Sequence, residues 1–181
     1  METKKINKLI NSCAQVKLYY FNEEIHCQIL KESDSLILVK DIKDWHYDSY
    51  MIFPKKYIKK IKYGKTEKCR EKILSPLKKE QYIDDIKVID LTDLKSVLKS
   101  LFKTNQGVCI ENTREDNYVF IIGKITKIKN KKLKIRTIDL CGNYKKKPKK
   151  INYKKITCVF YKDEYSLRLI ECAENKRNRV T

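Results

Sequence analysis

Lysine is the residue type with which this sequence can do most chemistry. Lys55, Lys56, Lys59, Lys60 and Lys62 crowd one short stretch, and Lys145, Lys146, Lys147, Lys149, Lys150, Lys154 and Lys155 crowd another. Ammonium groups at that density can hold several phosphates at once, in binding that salt weakens and base sequence hardly affects. Trp45, His46, Tyr47, Tyr50 and Tyr57 flank the first stretch, and exposed aromatic rings beside lysines stack bases in single-strand binders. The candidate nucleic-acid contacts are therefore Lys55, Lys56, Lys59, Lys60, Lys145, Lys146, Lys147, Lys149, Lys150 and Lys154, with Trp45 and Tyr50 as stacking rings. Each group has a plainer alternative. Lysines also sit on loops and edge strands to keep them from pairing with other chains, and an aromatic cluster also closes the end of a small β-domain.

Other chemistry finds little support. His26 and Cys27 are neighbours in an alternating segment and so point to opposite faces, and His46 is the only other histidine. No metal site and no cofactor are expected. Neither histidine has a serine, cysteine or carboxylate partner at a motif spacing, and no glycine-rich loop could cradle a phosphate. Asp41, Asp44, Asp48 and Asp139 read as turn formers. A non-enzyme is the expectation. The 7 cysteines lack any C-x-x-C pair, which reads as reduced thiols packed as small hydrophobes. With no signal-like or membrane-length apolar run, the expected setting is cytoplasmic, without membrane contact.

Lys+Arg of 42 against Asp+Glu of 23 gives a net charge of +19. Such a balance favours anionic partners. It is also what an A/T-rich coding bias produces by filling solvent-facing positions with lysine.

The elements that must position these residues follow from periodicity. Ile6, Leu9, Ile10 and Cys13 share one helical face in a predicted helix over 3–15, as do Leu94, Val97, Leu98, Leu101 and Phe102 in a second, with Thr92 or Asp90 as N-cap and Gly107 at its end. After each helix the period becomes alternating: VKLYYF, IHCQIL and LILVKDI in the first half, VCIEN, YVFIIGKITKI and LKIRTIDL in the second. Short charged turns between such runs predict antiparallel meanders.

The two halves superpose in sequence. Cys27 falls on Gly123, Ile29 on Ile125, Ile37 on Leu133, Val39 on Ile135 and Ile42 on Ile138 at one constant spacing. Past the basic loop the spacing lengthens slightly, and Phe53 meets Ile151, Ile58 meets Ile156, Ile61 meets Val159 and Tyr63 meets Tyr161. This is an internal duplication. The predicted organisation is a first module over 1–75, a linker over 76–90, a second module over 91–174 and a disordered tail over 175–181.

A short helix followed by about five bent antiparallel strands resembles the Sm-like (Lsm-type) fold, and the tandem arrangement is similar to bacterial proteins that carry such barrels. The likeness is strongest in GKITKIKNKKLKIRTID, where Gly123 opens a bent strand and Asn130 sits in the following turn; Cys27 and Asp34 hold those places in the first half. Asp48-Ser49-Tyr50 and Gly142-Asn143-Tyr144 occupy the step before the fourth strand. The resemblance implies a mainly β protein of two tandem Sm-like or SH3-like five-stranded barrels, each led by a short α-helix. The Arg-Gly or Lys-Gly step of the second Sm signature is absent from both halves, so ring formation and uridine reading are not implied.

The functional expectation is a non-catalytic module that binds RNA or another single-stranded nucleic acid through its lysine-rich loops. The alternative is an interaction or scaffold protein that pairs with a protein partner, or with itself, through strand edges.

Overall fold

The computed structural model describes residues 2–21, 23–75, 86–112 and 118–178, with side chains from residue 6 onward. The chain is mainly β and divides into two compact units, Met1–Asp93 and Leu94–Thr181.

The first unit opens with a 3₁₀ helix, Glu2–Leu9, followed by strands β1 (Cys13–Leu18), β2 (Glu24–Glu32), β3 (Leu36–Lys43) and β4 (His46–Pro54). A 3₁₀ turn over Lys55–Tyr57 leads into β5 (Ile58–Lys62) and helix α1 (Lys65–Leu74). The strands lie in the order β5-β1-β2-β3-β4, all antiparallel. The second unit begins with α2 (Leu94–Lys103) and continues through β6 (Gly107–Asn112), β7 (Val119–Ile128), β8 (Lys132–Thr137), β9 (Lys149–Asn152), a 3₁₀ turn over Tyr153–Lys155, β10 (Cys158–Tyr161) and α3 (Glu164–Asn178). Its antiparallel order, β10-β6-β7-β8-β9, repeats that of the first unit.

The duplication extends to strand register. Ile37 faces Phe53 across β3 and β4, and Leu133 faces Ile151 across β8 and β9. Ala14 faces Cys27 in the first unit, and Val108 faces Gly123 in the second. Both copies slip register at the same place, between Ile29 and Lys31 in β2 and between Ile125 and Lys127 in β7. An irregularity of this kind bends and twists a strand locally, so the repeat preserves the curvature of the sheet as well as its pairing. Alternation does the rest: Leu133, Ile135 and Thr137 of β8 turn inward and are buried, whereas Lys132, Lys134 and Arg136 turn outward.

Several expectations need correction. Among the described residues no ladder joins β4 to β5 or β9 to β10, so the hydrogen bonding of each unit leaves an open sheet rather than a closed barrel. The first helix is 3₁₀ and ends at Leu9; Cys13 opens β1, which stops at Leu18 rather than running to Phe21. The lysines from Lys55 to Lys62 form no loop, because they lie in the 3₁₀ turn and β5. The connection between β3 and β4 is a two-residue turn, with Asp44 at φ 44° and Trp45 at φ 63°, the all-positive geometry of a tight hairpin.

Helix α2 starts after Thr92, and Asp90 instead accepts hydrogen bonds from the Thr92 backbone N–H (3.0 Å) and hydroxyl (2.6 Å). Gly107 does not end that helix. It opens β6 where a Cβ would lie 1.9 Å from Cδ1 of Ile170 on α3. The expected linker falls partly on residues 76–85, outside the described residues; beyond them Ile89 and Leu91 are buried, and Lys31 donates to the Ile89 carbonyl at 3.1 Å. Residues 175–178, read as tail, belong to α3, whose Ile170 and Ala173 pack against Cys109, Ile122 and Ile138; residues 179–181 lie outside the described residues. Helix α1, which the sequence reading did not separate, packs on β1.

Candidate nucleic-acid interface

The outward face of β7, β8 and β9 is basic. Lys127 stands opposite Lys134, Lys134 stands opposite Lys150, Lys124 stands opposite Arg136, and Lys132 stands opposite Asn152. Directly opposed residues on antiparallel strands hold their Cβ atoms about 4.5–5.5 Å apart, so Lys127, Lys134 and Lys150 form one transverse row of ammonium groups. Lys124 is ion-paired with Glu174 of α3.

At one end of this face the Arg136 guanidinium lies over the Tyr144 ring, 5.3 Å from its centroid. Tyr144 is placed by an isolated bridge to Ile138 and by the Lys145 N–H, which donates to the Thr137 carbonyl at 2.9 Å. The turn before it is built on Asp139, whose Oδ1 accepts from the Asn143 N–H (2.9 Å) and the Cys141 N–H (3.0 Å). Those bonds, that of the Asn143 N–H foremost, hold its carboxyl below the usual range. Lys176 of α3 clamps the same turn by donating to the Cys141 carbonyl (2.6 Å) and to Asn143 Oδ1 (3.1 Å). Gly142 takes φ +70° there, with Cys172 Sγ 2.7 Å from where a Cβ would stand. From this braced turn the chain delivers Lys145, Lys146, Lys147, Lys149, Lys150 and Lys154, all exposed.

The first-unit candidates fare differently. Lys55 has a side chain only 13% exposed and forms an ion pair with Glu32. Lys56 is exposed and lies 5.3 Å over the Tyr57 ring, while Lys59 and Lys60 are exposed on β5. Lys62 pairs with Glu24 at 3.1 Å, and that pairing holds the Glu24 carboxyl below its ordinary range. Tyr50 cannot stack on a base: it is 1% exposed, with Lys40 Nζ 3.8 Å from its ring centroid. Trp45 is 53% exposed but sits at the hairpin tip, separated from Lys55 by the whole 9-residue length of β4. At about 3.3 Å per residue that strand spans about 30 Å, which sets Trp45 and Lys55 at its opposite ends.

The face homologous to the basic one is apolar in the first unit. Leu36, Leu38 and Ile52, all buried, take the places of Lys132, Lys134 and Lys150. The duplicated copies therefore share a fold and differ in the chemistry of one sheet face. Sequence reasoning missed Lys124, Lys127, Lys132, Lys134, Arg136 and Tyr144 as members of this face. The signal was present in LKIRT, where lysine and arginine alternate with aliphatic residues.

Among the described residues no group of His, Cys, Asp and Glu side chains gathers into a metal-ligating cluster. Cys13, Cys27, Cys109 and Cys158 are buried, and none of them is in a disulfide. Burial pushes the Cys27 thiol well up and that of Cys109 up to about 12, so both are inert packing groups. Among the described residues no helix is long and apolar enough to cross a membrane. Compared with protein-family models, curated proteins and solved structures, the chain matches none.

Proposed function

We propose that this is a non-catalytic nucleic-acid-binding protein of tandem Sm-like modules, and that it takes single-stranded RNA or another single strand on the outer face of β7–β9 and the neighbouring Lys145–Lys150 segment. The Sm-like reading is supported by the repeated order of a leading helical segment and five antiparallel strands with matching irregularities. The binding reading is carried by one observation: Lys127, Lys134 and Lys150 stand in one row across three strands, with no opposing carboxylate in that row. Like charges placed directly opposite destabilise a sheet, and a phosphate chain laid across them removes the repulsion while releasing its own counterions. The Arg136–Tyr144 pair sets a half-buried aromatic ring at the end of the row, a platform of the kind on which bases stack.

The test is fluorescence anisotropy with a labelled single-stranded RNA and a duplex DNA at several salt concentrations. The wild type is compared with the triple variant Lys127→Gln, Lys134→Gln, Lys150→Gln. Binding with a steep salt slope that flattens in the variant supports the proposal. Absence of binding at low salt overturns it.

A second reading as an interaction scaffold draws on β5 and β9, each of which has one ladder partner among the described residues. Lys59, Lys60, Lys149 and Lys150 would make such edges selective for an acidic strand.

A further inference from the structure

The first unit encloses a guanidinium nitrogen that no side chain meets among the described residues. Arg70 of α1 is 9% exposed, and its Nη1 is enclosed without a hydrogen-bond partner among the described residues. The carboxylates on the same helix hold backbone and hydroxyl donors, and Glu67, itself buried, lies close enough to His26 to act on its imidazole. Glu67 Oε2 accepts from the Gly64 N–H at 2.8 Å, and Glu71 accepts from the Cys13 N–H at 2.7 Å and the Tyr63 hydroxyl at 3.5 Å. A guanidinium N–H donor withdrawn from water without an acceptor is costly, so Nη1 offers a place for an acceptor oxygen.

Two further features surround it. The Arg70 guanidinium lies 5.6 Å from the Trp45 ring centroid. Trp45 is held there by the tight β3–β4 hairpin, in which it takes φ 63°. His26 of β2 has Nδ1 buried and without a partner. Burial first, and then the Arg70 charge, push the His26 imidazole toward its neutral form, against the opposing pull of Glu67 and Glu24.

We propose that Arg70, His26 and Trp45 form a binding site for a phosphoryl oxyanion in the first unit. Arg70 offers the planar donor fork that matches phosphate oxygens. His26 lends a ring nitrogen that donates once protonated there, and Trp45 supplies an aromatic wall open to solvent on its other side. The residues are distinct from the lysine row, so this site stands or falls independently of it.

Trp45 is the chain's only tryptophan, which makes its emission a direct reporter. The experiment titrates inorganic phosphate into the full chain at constant ionic strength, with sodium chloride as the balancing salt. A saturable change in Trp45 emission, together with movement of the His26 imidazole resonances, is the expected result. Arg70→Met, which exchanges a buried charge for an apolar side chain of similar reach, should retain the wild-type far-ultraviolet circular dichroism and lose the response. His26→Gln should weaken binding about fivefold, the worth of about one hydrogen bond.

A second arm uses a short single-stranded oligonucleotide without terminal phosphates. Competition with inorganic phosphate at Trp45 assigns the site to backbone phosphodiesters, and a response to inorganic phosphate alone assigns it to a free phosphate or phosphomonoester. Overturning results are an emission change no different from that of sodium chloride, a response that survives Arg70→Met, or His26 resonances that phosphate leaves in place.

Discussion

Lys134 stands directly opposite Lys150 in the ladder between β8 and β9, with no carboxylate between them. Lys127 faces Lys134 from the other side. Opposed like charges cost about 0.2–1 kcal/mol per pair, and Lys134 belongs to both pairs. Lys134→Glu should therefore raise the melting temperature at low ionic strength, by a margin that shrinks as salt is added. The same substitution should weaken binding of single-stranded RNA. Thermal unfolding at two salt concentrations checks the first expectation, and anisotropy checks the second; a melting temperature that falls at low salt would refute the repulsion.

Lys55 separates structure from binding. Its side chain is enclosed in an ion pair with Glu32, and leaving that carboxylate without its cation costs about 1–3 kcal/mol. Lys55→Gln should lower the unfolding free energy by about that amount while leaving nucleic-acid affinity nearly unchanged. Urea unfolding and anisotropy on one preparation decide the matter, since a phosphate-contacting Lys55 would give the reverse pattern.

Gly123 has no room for a side chain. A Cβ there would lie 2.1 Å from the Arg136 carbonyl oxygen and 3.0 Å from the Thr137 Cα, atoms fixed in the β7–β8 ladder. Gly123→Ala should destabilise the second unit by about 1–3 kcal/mol through overpacking. The corresponding residue of the first unit, Cys27, is fully buried and already carries a side chain, so Cys27→Ala should be the milder change. Denaturant unfolding of both variants, side by side, provides the check.

Glu111 should make stability depend on pH in an unusual direction. It is 5% exposed, with Oε1 accepting the Tyr118 hydroxyl at 2.7 Å and Oε2 buried without a partner. Burial pushes its carboxyl above the ordinary glutamate range, and the Tyr118 bond only partly offsets that. An acid raised in the folded state lends stability that is complete below its unfolded pKa and is lost as pH rises through the folded value. Glu111→Gln should thus raise stability near neutrality, with the gain vanishing toward acid. Tyr118→Phe should steepen the wild-type dependence. Melting temperatures from acid to neutral pH test both, and a Glu111→Gln gain that is constant with pH would contradict the account.

How far the sequence could be read differs from residue to residue. Cys27 with Gly123, Ile37 with Leu133 and Phe53 with Ile151 could be matched because strand burial repeats every second residue and the pairs occupy the same register in both copies. Helix α3 escaped notice because its buried stripe is built partly of small residues, Ser166, Ile170 and Ala173, which announce a helix face weakly. The basic face was half visible. The lysine-rich segment after Gly142 stands out by density, whereas Lys127 and Lys134 join it only through cross-strand pairing.

Trp45 and Tyr50 mark the boundary between the two kinds of information. Both are aromatic and close in sequence, yet one stands exposed at a hairpin tip and the other is enclosed under Lys40. Alternation by itself pointed to β-strands and to the duplication, because it follows from local backbone geometry. Which face is then covered, which lysine meets a carboxylate and which meets another lysine were decided only by the tertiary structure, because burial and pairing depend on residues far away in the chain.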